Sequence, residues 1–351
     1  MYTKIVNLNK DDIEADKALK EAGELIQKGK LVVFPTETVY GLGANAEDGK
    51  AVTKIFEAKG RPQDNPLIIH VADFEDVDKY AKNISESAKR LMQEFWPGPM
   101  TLILEKKSII SDVTSAGLTS VGVRMPSSRI ARKLIRYSGV PIAAPSANIS
   151  GRPSPTDIQR CIEDLNDKVD YIIGGENCEF GLESTIIDCT VNPVCILRPG
   201  AITLEMVRKV ENNAYIDPAI MKKSTTEFKP KAPGMKYKHY APKADVKIIS
   251  GDLKKTIEKI NEIVQNYIDD NKKVGIMATD ETKDKYKNAS VISLGSRNDI
   301  YTIGKNLFET LREFDDQKVD VILSEAFSEE GFGVAIMNRL NKSAGFDIIN
   351  V

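Results

Sequence analysis

Between residues 211 and 243 the apolar periodicity of this chain stops. The stretch carries Asn212-Asn213, Pro218, Ser224-Thr225-Thr226, Pro230, Pro233-Gly234 and Pro242. These residues favour turns and break helices and strands, and no run among them offers a face that a core could bury. A chain of 351 residues is also too long for one ordinary core. The break therefore predicts a domain over 1–210, a linker over 211–243 and a second domain over 244–351.

The two flanking segments have different patterns. From 244 onward the chain alternates strand and helix: strands near 246–249, 274–278, 291–294 and 319–323, with helices near 253–268, 281–286, 300–314 and 333–341. Such alternation predicts a parallel sheet with helical cover, a Rossmann-like α/β domain. No GxGxxG follows its first strand, so it is not read as a dinucleotide site. The first segment is less regular. Helices are expected near 11–28, 51–58, 85–95, 129–137 and 156–165. Short apolar runs near 31–34, 67–71, 101–104, 121–125, 141–144, 171–173, 184–189 and 194–198 read as strands. Helices mixed with adjacent strands predict an α/β fold on a twisted mixed sheet.

Composition excludes several functions. The net charge is −2, so a nucleic-acid surface would have to be local. No apolar run reaches the ~18 residues of a membrane helix. Met1 to Lys17 has neither the apolar core nor the cleavage site of a signal peptide, so the cytoplasm is the expected location. The four cysteines, Cys161, Cys178, Cys189 and Cys195, form no CxxC pair, and they read as reduced, buried residues. With only two histidines, His70 and His239, neither a His-rich metal site nor a Ser/His/Asp triad assembles. No protein-held metal site is expected.

Polar groups recur where strands end. Pro35-Thr36-Glu37-Thr38-Val39-Tyr40-Gly41-Leu42-Gly43 follows the first apolar strand. His70 ends the next, Arg124 ends Val121-Gly122-Val123, Ser146-Ala147-Asn148 follows Pro141–Ala144, and Glu183-Ser184-Thr185 opens another after Gly181. Arg198-Pro199-Gly200 closes the last. Strand ends are where α/β domains bind ligands. Lys59-Gly60-Arg61 places two cations at a helix end, which suits a polyphosphate. Taken singly, each has a bland alternative: a basic surface turn, a simple loop, a structural histidine. Met221–Lys243 adds seven lysines against a single acid. That segment could be a solvated tether, or a strap over a phosphate site; the cluster Tyr237, His239, Tyr240 favours the strap. There is no P-loop and no kinase motif set.

Together, Pro35–Leu42, Lys59-x-Arg61, Val123-Arg124-Met125-Pro126, Ser146-x-Asn148 and Ser184-Thr185-Ile186 resemble the YrdC-like family. The basic His239-Tyr240-Ala241-Pro242 segment and the second domain resemble its two-domain form, the threonylcarbamoyl-adenylate synthases. The resemblance implies an N-terminal twisted α/β sheet around a basic cavity, where L-threonine, bicarbonate (or CO2) and ATP give threonylcarbamoyl-AMP and pyrophosphate. Partner proteins then carry the group to adenosine 37 of ANN-decoding tRNAs, with weak tRNA contact by the synthase itself conceivable. The resemblance places Thr38, His70, Arg124, Ser184 and the main chain at Ala144 around threonine. It places Arg61, Asn65, Ser120, Ser146, Ser154, Arg198 and Tyr240 at the nucleotide, with Lys59 and Asn148 near the phosphates. His239 and Tyr240 belong to the segment that closes the site. Ser120 stands where relatives often have threonine.

This chemistry needs no protein nucleophile. Positioning and stabilisation of phosphate charge suffice, which Lys59, Arg61 and a Mg2+ arriving with ATP would supply. Three rival readings remain at this point: a double-stranded-RNA-binding protein, a nucleotide sensor without synthase activity, and a carbamoyl-transfer maturation factor. The last would carry CxxC pairs, and this chain has none.

Overall fold

A computed structural model describes residues 2–8, 13–175, 177–221, 231–233 and 239–351. Its described residues form two sheets. The first is 12-stranded and mixed; the second has five strands, all paired in parallel.

The first sheet follows from short apolar runs that alternate between two cores. Leu31 and Val33 face one core, while Val32 and Phe34 face the other. Ile172 and its neighbours Tyr171 and Ile173 divide in the same way. This is the period of two expected when both faces of a strand are buried. Helices cover both faces. Gly49–Lys59 starts at Asp48, whose carboxylate accepts from the Lys50 N–H. It stops at Gly60, which adopts φ 62°, a left-handed conformation that glycine reaches without strain. That turn ends the helix directly before Arg61.

Several elements escaped the sequence pattern. Gly41–Asn45 is a strand paired antiparallel with Val32–Phe34, although it begins inside the polar motif. Lys4–Asn7 forms an edge strand beside Tyr171–Gly174. Tyr215–Ile216 pairs with Cys195–Ile196, so the first sheet extends past the expected boundary at 210. Ile348–Asn350 closes the second sheet beside Asp245–Ser250. Each is short, and pairing rather than its own apolar pattern defines it.

In the second domain the strands Asp245–Ser250, Val274–Ala278, Ser290–Ser293 and Val321–Glu325 match the expected runs. The short helix expected at 281–286 is one 3-10 turn, Lys283–Lys285. The two domains share one apolar cluster. Val39, Leu182, Ala201 and Tyr240 pack with Phe308, Leu311, Phe332 and Ile336. Gly181 meets the backbone of Lys305 so closely that a Cβ there would lie 2.4 Å from its Cα; any side chain would push the domains apart. Two buried ion pairs cross the same boundary, Arg312 to Asp164 at 2.9 Å and Arg339 to Glu183 at 3.1 Å. Among the described residues no helix is long and apolar enough to cross a membrane.

Candidate active site

The strand ends converge because of the order in which the strands lie. Ile68–His70 runs parallel to Ser120–Arg124 with His70 opposite Arg124, and antiparallel to Ile142–Ala143. Gly41 bridges to Ser146. His70 and Arg124 thus end adjacent strands, Ala144 lies opposite Ile68 on the antiparallel neighbour, and residues far apart in sequence come together. His70, Arg124, Ala144 and Ser146 line one cavity, with Thr36, Thr38, Arg61, Ser184, Arg198, His239 and Tyr240 also on its walls.

All five residues expected around threonine line this cavity. Arg124 is buried. Its Nη1 donates to the Thr38 hydroxyl at 2.9 Å, and its Nη2 donates to Glu37 Oε1 at 2.6 Å. Glu37 thus anchors the guanidinium, a role that the sequence reading did not assign. Thr36 in turn pairs with the Thr38 hydroxyl at 2.8 Å. Ser184 Oγ lies 2.8 Å from the Thr101 hydroxyl and accepts from Arg198 Nη2 at 3.1 Å. Arg198 Nε donates to the Ser184 carbonyl at 3.0 Å. The His70 ring Nδ1 is 3.3 Å from the Ile142 carbonyl. Burial, with Arg124 beside it, lowers the His70 pKa to about 3. At neutral pH its imidazole is uncharged and can orient a ligand without adding charge.

The nucleotide set divides. Arg61, Ser146, Arg198 and Tyr240 line the cavity. Arg61 Nη2 is 3.4 Å from the carbonyls of Asn65 and Pro66, so Asn65 contributes main chain to holding Arg61, while its own side chain is buried. Ser146 donates to Asn148 Oδ1 at 2.6 Å, and Asn148 Nδ2 donates to the carbonyls of Ile149 and Arg152. Asn148 therefore shapes the loop that presents Ser146. Ser154 is buried and donates to Glu183 Oε1 at 2.5 Å.

Two further residues of the expected set stand apart from the cavity lining. Lys59 does not present its ammonium to the cavity: it is 2 % exposed, and Nζ donates to the main-chain carbonyls of Ser146 and Asn148. Burial, reinforced by Arg61, lowers its pKa well below the usual lysine value. In this structure it fastens the Ser146–Asn148 loop to the helix end. Ser120 lies at the opposite end of its strand from Arg124 and lines a separate groove with Asn83, Ser85 and Lys231.

Of the linker, 222–230 and 234–238 lie outside the described residues, so Lys236, Tyr237 and Lys238 are not placed. His239 and Tyr240 are. Tyr240 stacks on Phe308 with centroids 5.0 Å apart, and the Ala241 N–H donates to the Gly151 carbonyl at 2.9 Å. His239 has its pKa lowered to about 3 by burial and by the charge of Arg61. Tyr240 has its phenol pushed up to about 12, chiefly by burial and by Glu183. Both side chains are thus neutral at the mouth of a cationic cavity. Glu37, Glu183 and Arg339 were not predicted. The first two sit inside quoted motifs, and charge inside an otherwise apolar strand approach was the available signal. Arg339 has Ile336 three residues before it and Leu340 directly after it on a helix, and its burial could be suspected but not its partner.

Comparison with known proteins agrees with this geometry. The Sua5/YciO/YrdC family model, described as "Telomere recombination", matches residues 24–200. A second, described as "Threonylcarbamoyl-AMP synthase, C-terminal domain", matches residues 202–345. A Pyrococcus abyssi protein named threonylcarbamoyl-AMP synthase is 49% identical over 349 residues, covering 99% of this chain and 100% of the relative. One of the same name from Bacillus subtilis is 44% identical over 335 residues, covering 95% of each. The solved structure of P. abyssi Sua5 complexed with L-threonine superposes with a TM-score of 0.93 at 47% identity, covering 99% of this chain and 100% of that one. On motif, fold and near-complete coverage alike, the chain belongs to the Sua5/YciO/YrdC family, in the form that carries the additional C-terminal domain.

Proposed function

We propose that this protein is an L-threonylcarbamoyladenylate synthase, a nucleotidyltransferase that makes threonylcarbamoyl-AMP and pyrophosphate from L-threonine, bicarbonate or CO2, and ATP. The product would serve the t6A modification of adenosine 37 in ANN-decoding tRNAs, through separate transfer proteins. The observation that carries the reading is the convergence of Thr38, His70, Arg124, Ala144 and Ser184 in one cavity with Arg61 and Arg198. A carboxylate-binding arginine and hydroxyls beside further cations suit an amino acid next to a polyphosphate. The names of relatives at 49% and 44% identity support it.

The chemistry follows from these groups. The threonine amine adds to CO2, losing a proton and forming a carbamate. A carbamate oxygen then forms a bond to the α-phosphorus of ATP as the bond to pyrophosphate breaks. Arg124 would hold the threonine carboxylate, leaving the amine to react; burial disfavours its charged ammonium form. Arg61 and Arg198 would stabilise charge on the phosphates in a site sheltered from water. Arg198 keeps its charge at pH 7 although burial lowers its pKa to about 10. Magnesium would come as part of the ATP substrate. The Glu37 and Glu183 carboxylates are each engaged by an arginine, so the chain's own contribution is cations and hydroxyls.

The test is pyrophosphate release from ATP and Mg2+, with threonine and bicarbonate each omitted in turn. Release that needs both, with serine a poor substitute, establishes the activity. ATP binding without threonine-dependent release would replace it with a nucleotide sensor, and salt-sensitive RNA binding that ignores threonine would favour the RNA-binding reading.

A further inference from the structure

The second domain reaches the wall of the cavity through Arg339. This residue lies on the helix Gly333–Ser343, and it is 0 % exposed. Its guanidinium crosses the domain boundary. Nε donates to Glu183 Oε2 at 3.1 Å, Nη2 to the Glu183 carbonyl at 3.2 Å, and Nη1 to the Pro199 carbonyl at 2.5 Å. The same guanidinium stands 5.9 Å from the centroid of the Tyr240 ring.

Glu183 lines the cavity, and its second oxygen accepts from Ser154. The Tyr240 hydroxyl also faces its carboxylate. One carboxylate thus joins three parts of the chain: the loop after Ser146, the end of the linker and the second domain. An uncompensated carboxylate on the wall of a polyphosphate site would repel the substrate. A buried carboxylate without a partner is also costly, and a fixed, forked cation corrects both faults.

We propose that Arg339 is a positioning residue for the reaction: by clamping Glu183 it fixes Ser154 and the Tyr240 ring and cancels a negative charge at the nucleotide end. The second domain therefore completes the ATP site of the first. This inference rests on the synthase reading above. It differs from simple domain docking, which other contacts also provide. Arg160 pairs across the same boundary with Glu309 at 2.6 Å and Asp316 at 2.8 Å, and none of these three lines the cavity.

The experiment uses the full chain. It compares wild type, Arg339→Lys, Arg339→Met, Glu183→Gln, the Arg339→Met/Glu183→Gln pair and Glu309→Gln. For each, kcat and the KM for ATP and for threonine are measured from pyrophosphate release, with the ATP Kd by calorimetry and the Tm. Arg339→Met is expected to raise the KM and Kd for ATP about tenfold while the KM for threonine moves by less than about twofold. Arg339→Lys should recover part of the loss. The double variant should bind ATP better than Arg339→Met alone, because no unpaired carboxylate remains. Glu309→Gln should leave both KM values unchanged. Unchanged ATP binding in Arg339→Met, additive effects in the double variant, or a loss that follows Tm equally in Glu309→Gln would overturn the proposal. If Arg339→Met does not fold, Arg339→Lys and the Glu183 variant decide by the same ATP values. Wild-type protein without threonine-dependent release would defeat the synthase reading instead, and the ATP Kd series would still judge Arg339.

Discussion

The amino-acid end and the nucleotide end of the cavity are built from different material. At the amino-acid end, Arg124 is fixed by Glu37 and Thr38, and Ser184 by Thr101 and Arg198. His70 and Arg124 sit on paired strands, so their spacing is set by sheet register. At the nucleotide end, Arg61, Ser146 and Tyr240 sit on loops or at a helix end, and Asn148, Ser154 and Lys59 spend their polar groups on the protein itself. Strands hold a constellation more rigidly than loops, which can rearrange around a larger ligand. On the proposed assignment, His70 and Arg124 at the threonine end are held by strand register, whereas Arg61, Ser146 and Tyr240 at the ATP end depend on contacts from neighbouring loops, the linker and the second domain, with Arg198 alone of that set on a strand.

The strongest way to break this contrast is at the Arg124–Glu37 pair. Arg124→Met leaves a buried carboxylate without its cation, and it should cost about 3–5 kcal/mol of stability along with threonine binding. Adding Glu37→Gln should restore much of the stability in chemical denaturation but none of the threonine binding by calorimetry. If binding returns with stability, Arg124 only supports the fold.

Arg61→Ala addresses the other end. It should slow pyrophosphate release by about 2–4 kcal/mol in barrier, as loss of one preorganised donor does, with little change in melting temperature. A loss confined to the KM for threonine would place Arg61 at the wrong end of the cavity.

A smaller effect concerns pH. Both histidines have folded pKa values of about 3, against ~6.5 in an unfolded chain. Between these values the unfolded state binds more protons, so stability rises with pH across that window. The contribution is complete above pH ~6.5 and is lost as pH falls toward 3. His239→Gln should flatten the slope of the urea midpoint between pH 4 and about 6.5. An unchanged slope would mean that His239 is already accessible to protons in the folded state. The smallest expected effect is that of Ser120→Ala, which should leave the KM for ATP within about twofold of wild type, since a change of less than 0.5 kcal/mol is usual for a surface substitution. A tenfold rise would return Ser120 to the nucleotide site.

Much of this was readable beforehand. Apolar runs such as 31–34 and 171–173 announced their strands because burial on both faces demands them, and the Lys59-Gly60-Arg61 turn announced a helix end. Gly41–Asn45 and Tyr215–Ile216 did not, because their strand character comes from partners elsewhere in the chain. The site residues were legible as types at strand ends, and the family resemblance supplied their roles. Their division of labour was not: nothing in Lys59-x-Arg61 says that the arginine faces the cavity while the lysine turns inward to two carbonyls.

Local chemistry by itself determined most helices and buried strands and which polar groups cluster after strands, because period, turn residues and caps act over a few residues. Tertiary structure alone decided that His70, Arg124, Ala144 and Ser184 share one cavity, that Ser120 lines a separate groove, and that Glu183 is answered by an arginine 156 residues away. Strand order and domain packing bring such groups together, and neither is written in any short stretch of sequence.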